Sequence, residues 1–195
     1  MEALKIDKDL EWLKKVSKKV DINSDDISND IKVLEEYCLN HGVFAMAAIQ
    51  LGMDKRIVYI KNTRLDKVDD DSWNESTILI NPVIKRQEGL TQYWEACASC
   101  LDNTGLVLRP YKVLVEYVDI NGKKHSKIFK DFPATVFSHE YDHLDGILHM
   151  EKAIDLKIMN REERKEFRKT HPYEVFYETG DFLELVDEYG KRSKN

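Results

Sequence analysis

At 195 residues the chain has the length of one folding unit, and with 42% hydrophobic and 34% charged residues it has the make-up of an ordinary globular protein. A formal net charge of -6 excludes a broad electrostatic grip on nucleic acid, and no apolar run is long enough to span a bilayer. Met1-Glu2-Ala3-Leu4-Lys5-Ile6-Asp7 lacks the basic-then-apolar order of a secretion signal. Three cysteines do not make a disulfide framework, so a cytoplasmic location is expected.

Leu10, Leu13, Val16 and Val20 recur at helical spacing in a lysine-rich segment and predict an amphipathic helix on the core. Ser24-Asp25-Asp26 offers a second helix start. Ile27, Ile31, Leu34 and Cys38 form its apolar stripe, with Cys38 as a core thiol, and His41-Gly42 its stop. Val43 to Gly52 sets one polar side chain, Gln50, among small and apolar ones; alone it reads as a buried turn with a satisfied amide. Arg56–Ile60 predicts a strand, Asn62–Thr77 with Asp69-Asp70-Asp71 an exposed loop, Ile78–Ile84 a second strand and Lys112–Val118 a third. Asp119-Ile120-Asn121-Gly122 is a hairpin signal that returns the chain through Lys124–Phe129.

Next comes Phe137-Ser138-His139-Glu140-Tyr141-Asp142-His143-Leu144-Asp145-Gly146, which contains H-E-x-x-H. On a helix, residues four apart share a face, so His139 and His143 can aim their rings at one metal ion. Glu140 stands beside them, where it can serve a bound water as general base. Pro133 suits the first helical turn and Asp145-Gly146 the stop. Val136, His139, His143 and Ile147 fall on one stripe. Beyond Met150 the chain turns charged. Asn160 can cap a short helix from Arg161 to Lys169, which His171-Pro172 breaks. Residues 160–195 read as a charged C-terminal tail of unknown role that frays over its last residues. With no repeat and no linker, residues 1–195 are expected to form one domain.

A catalytic metal needs three protein ligands and an open position, so the two histidines call for a third. Cys97, in Glu95-Ala96-Cys97-Ala98-Ser99-Cys100, offers a sulfur suited to zinc or ferrous iron. His149 offers the alternative, because His139-Glu140-x-x-His143-x-x-Gly146-x-x-His149 has the metzincin protease spacing. A closed structural site using Cys97, Cys100 and both histidines is a third option.

Three stretches in order resemble peptide deformylases. That family has G-x-G-x-A-A-x-Q, E-G-C-x-S and H-E-x-D-H. This chain has Val43-Phe44-Ala45-Met46-Ala47-Ala48-Ile49-Gln50, Glu95-Ala96-Cys97-Ala98-Ser99 and His139-Glu140-Tyr141-Asp142-His143. Val107-Leu108-Arg109-Pro110 also resembles a family feature, and the similarity covers roughly Gly42 to Lys152. Val43, Ala45 and Ala96 stand where the family carries glycine, and Ala98 where leucine is common.

The resemblance implies an α+β fold with antiparallel strands around a central metal-binding H-E-x-x-H helix. It implies removal of the formyl group from N-formylmethionine of nascent chains, in the cytoplasm, with the ribosome as a further partner and neither nucleic acid nor membrane involved. Cys97, His139 and His143 would hold Fe2+, with Zn2+, Ni2+ or Co2+ as substitutes, and Cys100 would be a neighbour only. Glu140 would be the general base, and Gln50 and the Ala98 backbone N–H the oxyanion donors. Phe44 and Val136 are candidates for the methionine pocket, Arg109 orders the loop carrying Glu95, and Asp142 supports the helix. Beside the closed structural zinc site with Cys100 as fourth ligand, two further rivals stand against this reading. One is a metzincin-like protease that uses His149 with a methionine turn at Met150 or Met159. The other is a catalytically impaired relative that binds N-termini or another protein, suggested by the lost glycines.

Overall fold

A computed structural model describes residues 2–23, 26–60 and 77–192. Ser24 and Asp25 of the expected helix start, the acidic stretch 61–76 and the last three residues lie outside the described residues. In chain order the elements are α1 (Leu10–Leu13), α2 (Ser28–His41), β1 (Ala45–Ala47), a 3-10 turn (Ala48–Leu51), β2 (Ile57–Ile60), β3 (Thr77–Ala96), β4 (Asn103–Arg109), β5 (Lys112–Val118), β6 (Lys124–Lys130), α3 (Phe132–Leu144), α4 (His149–Lys152), β7 (Ala153–Ile158), α5 (Arg161–Thr170), β8 (Glu174–Asp181) and α6 (Phe182–Arg192).

The architecture is mixed α and antiparallel β, as the sequence predicts. All pairings among the described strands are antiparallel, and β3 is the spine. Its first residues pair with β2, its middle with β5 and its last six with β4, while β8 lies along Glu88–Gln92. Irregularities at Ile80–Val83 and Ile84–Arg86 on the β5 side let one strand serve successive partners. The expected strand Ile78–Ile84 is therefore the opening third of a strand of 20 residues.

Strand periodicity divides the core. Val58 and Ile60 of β2, with Ala45 and Ala47 of β1, face Ala134, Phe137 and Leu144 of α3. The alternate residues Ile57, Tyr59 and Met46 face Leu34, Tyr37 and Cys38 of α2. The β1–β2 layer is thus covered on both faces by helices, which explains its unbroken apolar run. Phe129 of β6 and Phe137 of α3 stack with centroids 4.9 Å apart, fixing α3 against the hairpin strand. Among the described residues, no helix is long and apolar enough to cross a membrane.

The N-terminal helix is shorter than its periodicity predicts. It stops at Leu13, and Val16 is 67% exposed. Tertiary bonds claim the backbone beyond it: Ser17 N–H donates to the Leu144 carbonyl, the Lys18 carbonyl accepts from Arg56 N–H, and the Asn81 side chain brackets the Val20 backbone with two bonds of 2.8 Å. Gly146, at φ +67, lets this segment approach, since a Cβ there would run into the Lys14 carbonyl. The second helix ends at Gly42 in the left-handed conformation. The helix expected after Asn160 is α5. The Asn160 side chain accepts from Glu162 N–H at 2.9 Å and Glu163 N–H at 3.0 Å, and Glu163 returns a bond to the Asn160 N–H.

Candidate active site

Three segments converge on one cleft of about 770 Å³. The last turns of α3 carry His139, Glu140 and His143. The end of β3 runs into a turn at Cys97, where Cys100 N–H donates to the Cys97 carbonyl. The 3-10 turn carries Gln50, whose Oε1 accepts from Ala47 N–H at 3.0 Å. That bond fixes the amide, so its Nε2 points at the Cys97 sulfur, 3.2 Å away, and the Ser99 hydroxyl, 3.3 Å away.

Cys97, His139 and His143 can each offer a ligand atom, and these atoms lie within 4.8 Å of one another. Cys97 Sγ is 3.2 Å from His143 Nε2. A sulfur and two imidazoles are a donor set suited to zinc or ferrous iron, and three donors leave a position for water or substrate. Further groups orient these donors, as second partners do in metal sites. His139 Nδ1 meets Glu95 Oε2 at 2.8 Å. Arg109 grips Glu95 in a two-pronged pair of 2.8 and 2.9 Å, and its third nitrogen reaches Asp142 at 2.5 Å. Lys152 takes the other Asp142 oxygen at 2.6 Å. Arg109 thus ties the end of β3 to α3, in keeping with the expected roles of Arg109 and Asp142.

The electrostatics favour a cation among the three donors. Burial opposes the charge on His139, but its contacts with Cys97 and Glu95 prevail and lift its pKa well above the usual imidazole value. Burial also opposes ionisation of Glu95, yet the Arg109 guanidinium holds that carboxyl well below the ordinary carboxylate range. Glu140 is different. Burial, reinforced by the neighbouring Cys97, pushes it up to about 7, and its Oε2 is buried without a hydrogen-bond partner among the described residues. A carboxyl of this kind, placed beside a Cys-His-His donor set, suits proton transfer near neutrality.

The other expected residues fall as follows. Ala98 borders the cleft, and its carbonyl accepts from Lys5 Nζ at 2.5 Å. Phe44 and Val136 line the same cleft, Phe44 at 45% exposure. Ala45 and Ala96 line it from the ordinary strand backbone of β1 and β3. His149 is buried and lies outside the ligand group. Its ring packs against His139 with centroids 5.6 Å apart, neither ring nitrogen has a partner among the described residues, and burial lowers its pKa to about 4. Cys100 is fully buried and also outside that group.

The sequence reading missed the cleft's far wall. Arg161, Arg164, Lys165 and Arg168 of α5 line it. Their i, i+3, i+4, i+7 spacing was the available signal, since it puts four cations on one helical face.

Comparison with known proteins agrees with this geometry. Residues 3–159 match the family model described as polypeptide deformylase. The peptide deformylase of Finegoldia magna is 36% identical over 145 residues, covering 74% of this chain and 85% of that protein. The one from Acetivibrio thermocellus is 35% identical over 159 residues, covering 82% and 88%. The crystal structure of Arabidopsis thaliana peptide deformylase 1B with an inhibitor superposes with a TM-score of 0.70 at 25% identity, covering 88% of this chain and 92% of that one. The actinonin complex of the Synechococcus elongatus enzyme gives 0.68 at 26%, covering 87% and 85%. With its own Cys-His-His cluster and carboxyl in place, the chain belongs to the polypeptide deformylase family.

Proposed function

We propose that this chain, folded as one domain over residues 1–195, removes the formyl group from the N-formylmethionine of new polypeptides as they leave the ribosome, in the cytoplasm. The observation that carries the reading is the convergence of Cys97, His139 and His143 with Glu140 and Gln50 in a single cleft. Cys97, His139 and His143 would hold Fe2+, or Zn2+, Ni2+ or Co2+ in its place. When bound, such a metal polarises the formyl carbonyl and lowers the pKa of water at the open position.

The chain's own residues do the rest. Glu140 accepts the proton of the attacking water and passes it to the leaving amine, so that formate and a free methionine amine are the products. The Gln50 amide is held by Ala47 with its N–H groups toward the reacting centre, where it and the Ala98 N–H stabilise the negative charge on the former carbonyl oxygen. Phe44 and Val136 border the space for the methionine side chain. Glu95 and Arg109 keep the His139 ring from rotating.

The test is formate release from a formyl-Met-Ala-Ser peptide by anaerobically purified, metal-analysed protein, with acetyl-Met-Ala-Ser as control. Release from the formyl peptide alone is expected. A folded protein with full metal that releases no formate would refute the reading.

A further inference from the structure

We propose that α5 is a cationic wall that reads the peptide behind the formylmethionine and favours substrates with Asp or Glu as third or fourth residue. This specificity rests on the deformylase reading above. The family model ends at residue 159 and α5 starts at Arg161, so the model match does not describe these cations.

Arg161, Arg164, Lys165 and Arg168 occupy one face of α5 and line the same cleft as Cys97, His139 and Glu140. None of the four has a carboxylate at ion-pair distance among the described residues. The acidic residues of α5 are engaged or turned elsewhere: Glu163 closes the capping box, and Glu166 pairs with Lys169 at 2.7 Å. In the cleft itself, Glu95 is consumed by Arg109 and His139, and Asp102 borders the cleft near Arg164 without reaching ion-pair distance of it. The wall is therefore positive in a chain whose formal net charge is -6.

Two of the cations are built in rather than dangling. Arg168 Nε donates to the Trp94 carbonyl at 3.0 Å, and its guanidinium lies over the Tyr93 ring, 4.6 Å from the centroid. Arg164 donates to the Met159 carbonyl at 3.0 Å. Burial pushes the pKa of both guanidinium groups down, and the more distant carboxylates of Asp102 at Arg164 and Glu95 at Arg168 only partly offset it. Half-buried cations without a contacting carboxylate gain when an anion arrives. Arg161 and Lys165 are exposed and free to close on one.

The spacing selects the position. Trp94 precedes Cys97 by three residues along an extended strand, about 10 Å at ~3.3 Å per residue. A formylated peptide lying extended from the metal cluster covers the same distance at about its third residue. A third or fourth side chain therefore comes level with Arg168, and a carboxylate there meets the wall.

The test compares kcat/KM of the metal-loaded protein on formyl-Met-Ala-Xaa-Ala and formyl-Met-Ala-Ala-Xaa, with Xaa as Ala, Glu or Lys. Glu is expected to exceed Ala by about fivefold, the size of one partly exposed ion pair. The gain should appear in KM and shrink as salt is raised. In the double variant Arg161→Gln, Lys165→Gln, whose sites are exposed and tolerant, the Glu-to-Ala ratio should fall, and adding Arg168→Gln should bring it near one. Equal rates on Ala and Glu peptides, or an undiminished preference in the double variant, would overturn the proposal. So would binding of a short RNA hairpin that depends on Arg161 and Lys165 without any peptide preference. Turnover of none of the peptides would instead bring down the deformylase reading, and this inference with it.

Discussion

Arg109, buried behind the Glu95 that lines the cleft, and Arg168, which lines the cleft from α5, show two uses of the same side chain. Arg109 is 2% exposed and every direction of its guanidinium is answered, by both oxygens of Glu95 and by Asp142. Arg168 is half-buried, meets a carbonyl and a ring face, and has no carboxylate at ion-pair distance among the described residues. A fully paired buried charge fixes geometry, because any movement leaves partners uncompensated in a low dielectric. An unpaired, half-exposed charge fixes little and remains available. One arginine is scaffold for the chemistry; the other is open to whatever the chemistry acts on.

The sharpest way to break that contrast is at the donors themselves. Cys97→Ala should lose the metal, whereas His149→Ala and Cys100→Ala should keep it, read as metal-to-protein ratio after dialysis. Retention in Cys97→Ala with loss in His149→Ala would move the site to the protease-like ligand set. Next, Glu140→Gln should keep metal and fold yet lower kcat by about 10²–10⁴, the usual worth of a positioned proton carrier. A variant with full metal that turns over formyl-Met-Ala-Ser at the parent rate would remove Glu140 from the mechanism.

Arg109→Leu leaves Glu95 and Asp142 buried without their partner and should cost about 3–5 kcal/mol in denaturant unfolding. Arg161→Gln on α5 should stay within about 0.5 kcal/mol. Similar costs for both would erase the distinction between the two uses. A smaller effect is expected from Ala45→Gly and Ala96→Gly. Both residues lie in ordinary strand backbone, so glycine frees space rather than strain. Turnover should rise, by well under the ~10²-fold that a 1 Å misplacement at a reacting centre costs. No gain at matched metal content would show that these methyl groups do not narrow the path. The smallest effect is Asn160→Ala, about 1 kcal/mol for a lost helix cap. It should loosen α5 and blunt the acidic-residue preference while formyl-Met-Ala-Ser turnover changes little. An unchanged preference would separate the wall from its cap.

Local rules made much of the site legible. His139, Glu140 and His143 share a helical face, Pro133 and Gly146 bound that helix, and Asp119–Gly122 makes its hairpin, all within a few residues of chain. Gln50 is the instructive case, because its buried, satisfied amide is real and still turns its Nε2 toward Cys97 and Ser99. What stayed hidden depended on distant partners. The length of β3 is set by four neighbouring strands, so alternation within Lys85–Ala96 was too weak to announce it. The early stop of α1 follows from bonds to Leu144, Arg56 and Asn81, which no window around Val16 contains. The cations of α5 were visible as a pattern, but only the fold shows that their face turns into the cleft.

The partner-switching of β3 also has a consequence in time. Its partners come from β2 at Ile57 through β8 at Asp181, so its hydrogen bonding cannot be completed until almost the whole chain has been synthesised. Until Glu174–Asp181 emerges, the Glu88–Gln92 edge is an open strand rim able to pair with another unfinished chain. Pairings this far apart in sequence form slowly, which lengthens the exposure. Glu174, Glu178 and Asp181 of β8, with Lys85, Arg86 and Glu88 in the middle of β3, then act before the native state exists, as charges that discourage wrong neighbours while the last strand is awaited.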